Sequence, residues 1–524
     1  MVNQVRQTAI RTVDWLLSRS WISPTHLGVF VFLSHAVVAM THGGPVAVPD
    51  VSVYLSFSQW TFGGLPLEDP AFFPGYGLLL GPLGWMSGSG LHTVALLLNS
   101  AAAGFAVILA ARLARSLGAG PKLEILVGIL AAIHPSVSAS SRIGWPETCL
   151  SLAVLLTCLA VQSEYWTRAG LIAGLSLTLH PRLMVLMFAL VVTGLLHKRL
   201  KAVLAALIPS AITTALLLYW TDSWPADRIS AAQSIGEGPS PVLTSTGQWL
   251  SLAAGTAGLA SIGLFIAMRR VKTPSARPSE TLLALSAVAT LILGGWVLAG
   301  SDRIDTLLYG RYIDPWAIPL MVVGLVAVVN HWVTPKVAWA TVGSLVVALL
   351  IALSGLNQVH APARRIMTLS LGWMWSAMNS NLTGVLLVAS IVSTIGALGT
   401  IRGPTIALAL LIPLSLTTTV LNHRHLNEVG KIAEGQVTVA ALLPEGLSCL
   451  SHDRSVKSYA LWLYRLERPE MHHQRIDLES NDQPCSNFVI ADSDALSECS
   501  GAKYVADEPR GSWGLWEYPP DGCS

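Results

Sequence analysis

The chain has 524 residues, of which 52% are hydrophobic and only 12% are charged. Soluble domains usually carry about 25% charged residues, so this composition excludes an ordinary soluble protein and predicts a membrane protein. The net charge of +2 is too small to indicate binding to nucleic acid.

About thirteen apolar segments have the length and composition of membrane-spanning helices. The first follows a polar, basic N-terminal segment, and the sequence after it lacks a small-residue cleavage site. We therefore predict a first spanning helix there rather than a removable signal peptide. The candidate spans are residues 24–41, 91–112, 123–139, 148–165, 169–180, 183–196, 202–220, 248–268, 281–299, 315–333, 337–356, 383–400 and 404–421.

The distribution of lysine predicts how these spans are oriented. With the N-terminus in the cytoplasm, every lysine before residue 430 falls on the cytoplasmic side, as the positive-inside rule expects. An odd number of spans then places the C-terminus outside, and we expect a multi-pass protein of the plasma membrane. The lysines concerned are Lys122, Lys198, Lys201, Lys272 and Lys336.

Composition also predicts the domain organisation. Residues 1–23 form a cytoplasmic segment, residues 24–425 a transmembrane domain with a first outer loop at 42–90, and residues 430–524 an extracytoplasmic domain. Within the last segment we predict short strands at 447–453, 487–494 and 511–519 and an amphipathic helix at 455–469, which is typical of a small α/β domain. The predicted fold class is an all-α polytopic membrane protein with a small C-terminal α/β domain.

Four cysteines lie in this C-terminal segment: Cys449, Cys485, Cys499 and Cys523. None of them is spaced as CxxC, and an extracytoplasmic compartment favours disulfides over a zinc site. Two disulfides are expected, and the spacing does not decide among the three possible pairings. Four unpaired thiols are the alternative.

The first outer loop is too polar to cross a membrane and carries three carboxylates, on Asp50, Glu68 and Asp69. A carboxylate can take a proton from an attacking hydroxyl, which makes Asp50 a candidate general base. Two structural explanations stay open. Asp50 can cap the helix that follows it, and Glu68 with Asp69 can form a solvated turn.

Other polar residues fall on the same predicted outer face. Charged groups close to a bilayer are costly unless paired or solvated, so their concentration on one face indicates function. Arginine binds phosphate through bidentate hydrogen bonds, whereas tyrosine also serves as an interface anchor. Structural pairing of Arg311 with Asp305 or Asp314, a helix-start role for Glu147 and lipid-facing roles for His180 and Arg182 stay open. The further candidate binding residues are Tyr54, Arg142, Glu147, His180, Arg182, Arg311 and Tyr312.

The order of these motifs resembles the GT-C superfamily of integral-membrane glycosyltransferases, over roughly residues 20–420. The first outer loop of that family carries an aspartate, a tyrosine, a Gly-x-Pro, an acidic residue and a Pro-Gly-Tyr turn. Here the matching residues are Asp50, Tyr54, Gly64-Leu65-Pro66, Asp69 and Pro74-Gly75-Tyr76. The stretches 142–147 and 310–312 are also similar to the family.

The resemblance implies inverting transfer of a sugar from a polyprenyl-phosphate donor to a glycolipid, polysaccharide or protein acceptor. By that analogy Asp50 is the base and Arg311 holds the donor phosphate, with Arg182 and Arg142 as further candidates. Mannose is the expected sugar and arabinofuranose the alternative. Several GT-C branches have two adjacent acids where this chain has Asp50 alone, so no metal is expected to be required.

Three other functions compete with this one. A secondary transporter would place ionisable residues near the middle of its spans, where this chain has almost none. A scaffold that presents the C-terminal domain would leave the polar first loop unexplained. A lipid-linked polymer ligase would use the same outer face, although such enzymes usually concentrate their polar residues in one long late loop.

Overall fold

The structure is a computed structural model that describes residues 23–41, 44–46, 49–65, 74–220, 239–271, 273, 276–361, 365–480 and 482–520. The chain divides into two compact units. The helical unit comprises Met1–His35, Asn99–Ser140 and Pro146–His423, and the mixed unit comprises Ala36–Leu98, Ser141–Trp145 and Arg424–Ser524. The domain boundaries predicted from the sequence remain predictions.

Helices dominate the described residues up to 434, as the apolar composition predicts. In chain order they are α1 Pro24–Met40, α2 Pro49–Gly63, α3 Pro74–Leu80, α4 Gly88–Ser116, α5 Pro121–Ala132, α6 Pro135–Ser140, α7 Glu147–Gln162, α8 Trp166–Leu175, α9 Met184–Leu196, α10 Leu200–Trp220, α11 Pro241–Gly255, α12 Leu259–Val271, α13 Pro278–Leu298, α14 Asp314–Val329, α15 Pro335–Ser354, α16 Gly372–Ala377, α17 Leu382–Gly399 and α18 Pro404–Glu434. Many of them begin at proline, which suits the first turn because its missing N–H is not needed there.

The polytopic all-α class is confirmed by these helices. Five helices of the described residues are long and apolar enough to cross a membrane, or six if the bent pair α11 and α12 forms one span. Shorter apolar helices accompany them, among them α1, α7 and α14. The count of about thirteen spans stays a prediction.

The predicted single span at 248–268 is interrupted. Helices α11 and α12 meet at a bend of 113°. The turn between them places Ala257 and Gly258 at positive φ, 44° and 80°. An alanine disfavours that conformation, whereas glycine tolerates it, so the break is held by the surrounding packing.

Small residues let neighbouring helices of the helical unit approach closely. A Cβ atom at Gly263 of α12 would lie 2.0 Å from the carbonyl oxygen of Leu320, and one at Gly324 of α14 would lie 2.1 Å from that of Leu259. Only glycine fits at such crossings, a common solution between membrane helices. The crossing fixes α14, whose first turn carries Asp314.

In the mixed unit, α2 packs against α3. The rings of Tyr54 and Tyr76 meet edge to face with their centroids 5.5 Å apart. The Tyr76 hydroxyl also donates a hydrogen bond to the carbonyl oxygen of Ala95 at 3.2 Å. Two tyrosines of the loop motif, 22 positions apart in the sequence, thus belong to one packed cluster.

The C-terminal part of the mixed unit contains the predicted α/β fold. Its strands are β1 Cys449–Asp453, β2 His472–Ile476, β3 Phe488–Asp492, β4 Lys503–Asp507 and β5 Trp513–Glu517, and helix α19 is Ser458–Glu467. They form one sheet in the order β2-β1-β3-β5-β4. β1 is parallel to β2 and β3, whereas β5 is antiparallel to β3 and β4. The sequence predicted β1, β3, β5 and α19 but not the two edge strands.

Disulfide bonding in this domain is confirmed in part. Cys449 of β1 is bonded to Cys485, which selects one of the pairings that the sequence left open. Cys499 is disulfide-bonded as well. Cys523 lies outside the described residues.

Candidate functional site

The site in the helical unit is built around Glu147, the first residue of α7. Its side chain is buried, with 7% of its surface exposed. Pro146 precedes it and α7 runs away from it, so the carboxylate sits at the positive end of the helix dipole. That position favours a negative charge where solvent is scarce.

Two buried arginines contact this carboxylate. Nε of Arg311 donates a hydrogen bond to Oε1 of Glu147 at 2.5 Å, and a terminal nitrogen of Arg182 donates to Oε2. Each guanidinium side chain is only 6% exposed. Two cations thus share one anion, which leaves an excess positive charge on this trio.

Arg182 also links two helix starts. Its second terminal nitrogen donates to the backbone carbonyl oxygen of Arg311 at 2.6 Å. The guanidinium carbon lies 5.7 Å from the centroid of the Tyr312 ring, within cation–π range. Nε of Arg182 is buried, and no described group accepts a hydrogen bond from it. An arginine has five donors, so this side chain keeps capacity for an anionic ligand.

The local backbone explains why these residues meet. His180 accepts a hydrogen bond at Nδ1 from the backbone N–H of Arg182 at 3.2 Å and so caps the turn Pro181–Leu183 that precedes α9. Before α14, the carbonyl oxygen of Gly310 accepts from the backbone N–H of Asp314 at 2.9 Å. A Cβ atom at Gly310 would lie 2.5 Å from Oγ of Ser251, so glycine is needed for the turn to pack there.

Asp314 completes the cluster and was not among the predicted site residues. Oδ1 accepts a hydrogen bond from Oγ of Ser370 at 3.1 Å, and Oδ2 is buried with no hydrogen-bond partner in the described part of the chain. A small cavity lies beside Asp314, Arg311 and Glu147 and is also lined by Ser136, Val137, Thr148, Ser151 and Leu369. The sequence could have indicated Asp314 from its position three residues after Arg311 at a helix start.

Asp305, which the sequence offered as a structural partner of Arg311, pairs with a different arginine. Asp305 forms an ion pair with Arg303 at 3.0 Å, and both belong to the segment before α14. Arg311 donates a side-chain hydrogen bond to Glu147, which lies 164 positions away in the sequence. Because Glu147 is so distant in the sequence, the sequence offered only nearby aspartates as structural partners of Arg311.

The other predicted residues lie in the mixed unit. Asp50 is half-buried in the first turn of α2, one residue after the helix begins, and Tyr54 is buried one turn further on. Arg142 is buried and donates a hydrogen bond to the side-chain oxygen of Asn427 at 3.3 Å, while its other terminal nitrogen has no partner among the described groups. Glu68 and Asp69 lie outside the described residues. The site roles assigned from the sequence stay predictions.

No family model and no curated protein matches the chain. Solved structures, however, do match the chain. The chain is similar to ArnT from Cupriavidus metallidurans in the apo state, with 15% identity, 93% of this chain and 97% of that chain covered, and a TM-score of 0.56. It is also similar to the same protein bound to undecaprenyl phosphate, with 16% identity, coverage of 95% and 99%, and a TM-score of 0.57.

The chain has the fold of ArnT. ArnT is a GT-C glycosyltransferase, so the GT-C fold predicted from the order of the motifs is confirmed. The match extends over nearly the full length of both chains and therefore includes the C-terminal domain, which the sequence resemblance did not cover. At this level of identity the similarity establishes the fold, and the chemistry must be argued from the side chains.

Proposed function

We propose that this protein is a membrane glycosyltransferase that moves a sugar from a polyprenyl-phosphate donor to a hydroxyl group on the outer face of the plasma membrane. The ArnT fold supports this class, because one matching structure contains undecaprenyl phosphate. The observation that carries the proposal is the buried contact of Arg182 and Arg311 with one carboxylate. It brings two guanidinium groups together at residues that the sequence named as candidates for donor-phosphate binding.

The proposed reaction is a single displacement. The acceptor hydroxyl gives its proton to the carboxylate of Asp50, and the oxygen forms a bond to the anomeric carbon of the sugar. The bond from that carbon to the phosphate oxygen breaks, and the electron pair leaves with polyprenyl phosphate. The anomeric configuration inverts because the acceptor attacks opposite to the leaving group.

Charge development explains the proposed role of the arginines. The donor phosphodiester carries one negative charge and the released phosphate monoester carries two, while Asp50 becomes neutral. Donors that are already in place stabilise such developing charge more effectively than reorganising water. Arg311 and Arg182 would supply them, and Glu147 would position both guanidinium groups without contacting the substrate.

We propose mannose as the transferred sugar, with arabinofuranose as the alternative, and a glycolipid, polysaccharide or protein as the acceptor. We also propose that no divalent metal is required. Among the described residues, no group of three or more His, Cys, Asp or Glu side chains has a metal-binding arrangement. Treatment with EDTA is expected to leave transfer unchanged, and restoration of lost activity by Mg²⁺ or Mn²⁺ would contradict this part.

The deciding experiment compares wild type with Asp50→Asn in membranes supplied with labelled polyprenyl-phosphate mannose, arabinofuranose and glucose. We expect transfer by wild type from one of these donors and a loss of at least about 100-fold in the variant, the usual scale for a general base. Equal transfer by the two proteins would show that Asp50 is not the base. Absence of transfer from all donors, together with movement of a solute across the membrane, would favour the transporter.

A further inference from the structure

Two helices that start at the arginine contacts of Glu147 end together, one helix length away. Helix α7 runs from Glu147 to Gln162, and α9 starts just after Arg182 and ends at Leu196. At 1.5 Å per residue, their 16 and 13 residues span about 24 and 20 Å. The hydrocarbon core of a bilayer is about 30 Å thick. The two helix ends therefore lie near the opposite side of the membrane, which the sequence predicted to be cytoplasmic.

An open pocket lies at these helix ends, between the turn from α7 to α8 and the turn from α9 to α10. Its volume is about 620 Å³, within the range of about 300–1,000 Å³ that small-molecule sites occupy. It therefore has room for a ligand much larger than water. We call it the basic pocket and define it by Tyr165, Arg168, Lys198, Arg199, Leu200 and Lys201.

Positive charge is in excess in the basic pocket. Four of the side chains that line it are cationic, and one, that of Glu164, is anionic, which leaves an excess of three positive charges. All five charged side chains are exposed. An anionic ligand that enters the pocket would relieve the mutual repulsion of the four cations. The cations are those of Arg168, Lys198, Arg199 and Lys201.

Neither helix stability nor membrane orientation accounts for this arrangement. Arg168 and Lys201 lie in the first turns of α8 and α10, where the helix dipole disfavours a positive charge. The positive-inside rule explains a single cation in a first turn, such as Lys336 of α15, which does not line the basic pocket. That rule does not require four cations from two separate turns to line one pocket, whereas a bound anion would stabilise all four.

Contacts across the two turns hold the cations in place. A terminal nitrogen of Arg199 donates a hydrogen bond to Oε2 of Glu164 at 2.8 Å, and Nε1 of Trp166 donates to the same oxygen at 2.6 Å. The guanidinium carbon of Arg199 lies 5.8 Å from the centroid of the Trp166 ring, and that of Arg168 lies 4.8 Å from the centroid of the Tyr165 ring. Groups that are already ordered lose less entropy when a ligand binds. An arginine has five N–H donors, so both side chains keep donors for phosphate oxygens.

Exposed leucines beside the basic pocket favour a lipid over a soluble anion. Leu195, Leu196 and Leu200 are between 58% and 63% exposed, and Leu200 itself lines the pocket. Apolar side chains next to cations are typical of the boundary between acyl chains and headgroups, and basic pockets between membrane helices bind anionic headgroups. We infer that the basic pocket binds the phosphate headgroup of an anionic phospholipid, whose acyl chains lie along these leucines. The inference is independent of the proposed function and adds a site at the other end of α7 and α9.

Native mass spectrometry of the full-length protein in detergent tests this inference without turnover. The protein is titrated with cardiolipin and, separately, with phosphatidylcholine, which has no net charge. We expect wild type to bind cardiolipin with a dissociation constant at least about tenfold lower. In Arg168→Gln/Lys201→Gln the dissociation constant for cardiolipin should rise at least about tenfold, because each cation near an anionic lipid contributes a factor of about five.

Two further double variants separate the basic pocket from general surface charge. Lys336→Gln/Arg402→Gln removes two exposed cations from the same predicted side but outside the pocket, and it should bind cardiolipin as wild type does. Arg168→Lys/Lys201→Arg keeps both charges of the pocket and should also bind as wild type does. The midpoint of thermal unfolding without lipid should not fall in Arg168→Gln/Lys201→Gln, since the helix dipole disfavours the cations that it removes.

Three results would overturn the inference. The first is an equal dissociation constant for cardiolipin in wild type and in Arg168→Gln/Lys201→Gln. The second is an equal loss of binding in Lys336→Gln/Arg402→Gln, which would assign the effect to surface charge. The third is binding of inorganic phosphate as tight as that of cardiolipin, which would show a site for a soluble anion instead of a lipid.

Discussion

Glu147 and Arg311 are joined by a hydrogen bond of 2.5 Å between buried atoms, although 164 positions separate them in the sequence. The contact ties the start of α7 to the start of α14. Arg182 contacts the same carboxylate from the start of α9. Three helix starts of the helical unit thus meet at one carboxylate, and four predictions follow from this site and from the C-terminal domain.

Glu147→Gln is expected to destabilise the protein. The substitution keeps the shape of the side chain but leaves two buried guanidinium groups without their anion. Removing one partner of a buried ion pair costs about 3–5 kcal/mol. The midpoint of thermal unfolding in nanodiscs should fall clearly. Glu428→Gln is the matched control, because its pair with Arg424 is exposed and worth at most about 1 kcal/mol. Equal midpoints for the two variants would contradict a stabilising role for Glu147.

Arg311→Lys is expected to lower kcat/KM for the polyprenyl-phosphate sugar by about 100-fold, the scale observed for the loss of one transition-state donor. Lysine keeps the charge but cannot hold Glu147 and a phosphate oxygen through separate nitrogens of one plane. Arg303→Lys serves as the control, since Arg303 pairs with Asp305 outside the cluster. An unchanged kcat/KM in Arg311→Lys would remove this residue from the donor site.

The C-terminal domain should lose stability in acid because of two buried histidines. Nε2 of His452 lies 3.0 Å from Nδ1 of His473, whose own Nε2 donates to the carbonyl oxygen of Arg468 at 2.9 Å. Burial lowers the pKa of His473 to about 4, and burial together with the charge of His473 lowers that of His452 well below its usual value. The hydrogen bond to the Arg468 carbonyl and the charge of Glu470 oppose the shift at His473, whereas Arg465 and His472 lower its pKa further. Arg465 and Arg475 also lower the pKa of His452.

The lowered pKa values determine how the stability of the domain changes with pH. Between pH 6.5 and about 4 the unfolded chain binds protons that the folded chain does not, so stability is complete above pH 6.5 and falls as the pH falls. Hydrogen exchange of β1 and β2, corrected for the intrinsic pH effect, should show protection reduced by more than about tenfold at pH 5 relative to pH 7. The double variant His452→Gln/His473→Gln should lack this step, and His472→Gln, at an exposed position, should retain it. A step that persists in the double variant would assign it to other groups.

Loss of the disulfide between Cys449 and Cys485 should destabilise the same sheet. The two residues lie 36 positions apart, and closing a loop of that length stabilises a fold by about 4 kcal/mol through the unfolded state. Cys449→Ser/Cys485→Ser should therefore raise the rate of protease cleavage within β1–β3. Cys158→Ala, which removes a buried free thiol of α7, is the control. Unchanged protease resistance in the double variant would show that the bond adds little.

Apolar composition and periodicity predicted most helices to within a few residues. The span predicted at 24–41 is α1, Pro24–Met40, and the span at 281–299 overlaps α13, Pro278–Leu298. The bend between α11 and α12 escaped prediction because the residues on both sides of it are equally apolar. Gly255 and Gly258 were its local indications, and two glycines in an apolar run do not specify a turn of this size.

The edge strands show a similar limit. β2 has the sequence His-His-Gln-Arg-Ile and β4 has Lys-Tyr-Val-Ala-Asp, so neither has an apolar run as long as the Phe-Val-Ile-Ala of β3. They become strands because β1 and β5 offer unpaired backbone groups beside them. Pairing of that kind depends on the tertiary fold more than on the propensity of the residues.

The sequence by itself determined that this chain is a polytopic membrane protein, that its motifs follow the GT-C order and that its C-terminal segment is an α/β domain. It also identified Arg182, Arg311 and Glu147 as candidates. Only the tertiary structure decided that both arginines contact the buried carboxylate of Glu147 and that Asp314 lies beside the same small cavity. Composition and periodicity act over neighbouring residues, whereas an ion pair across 164 positions exists only once packing has brought the helix starts together.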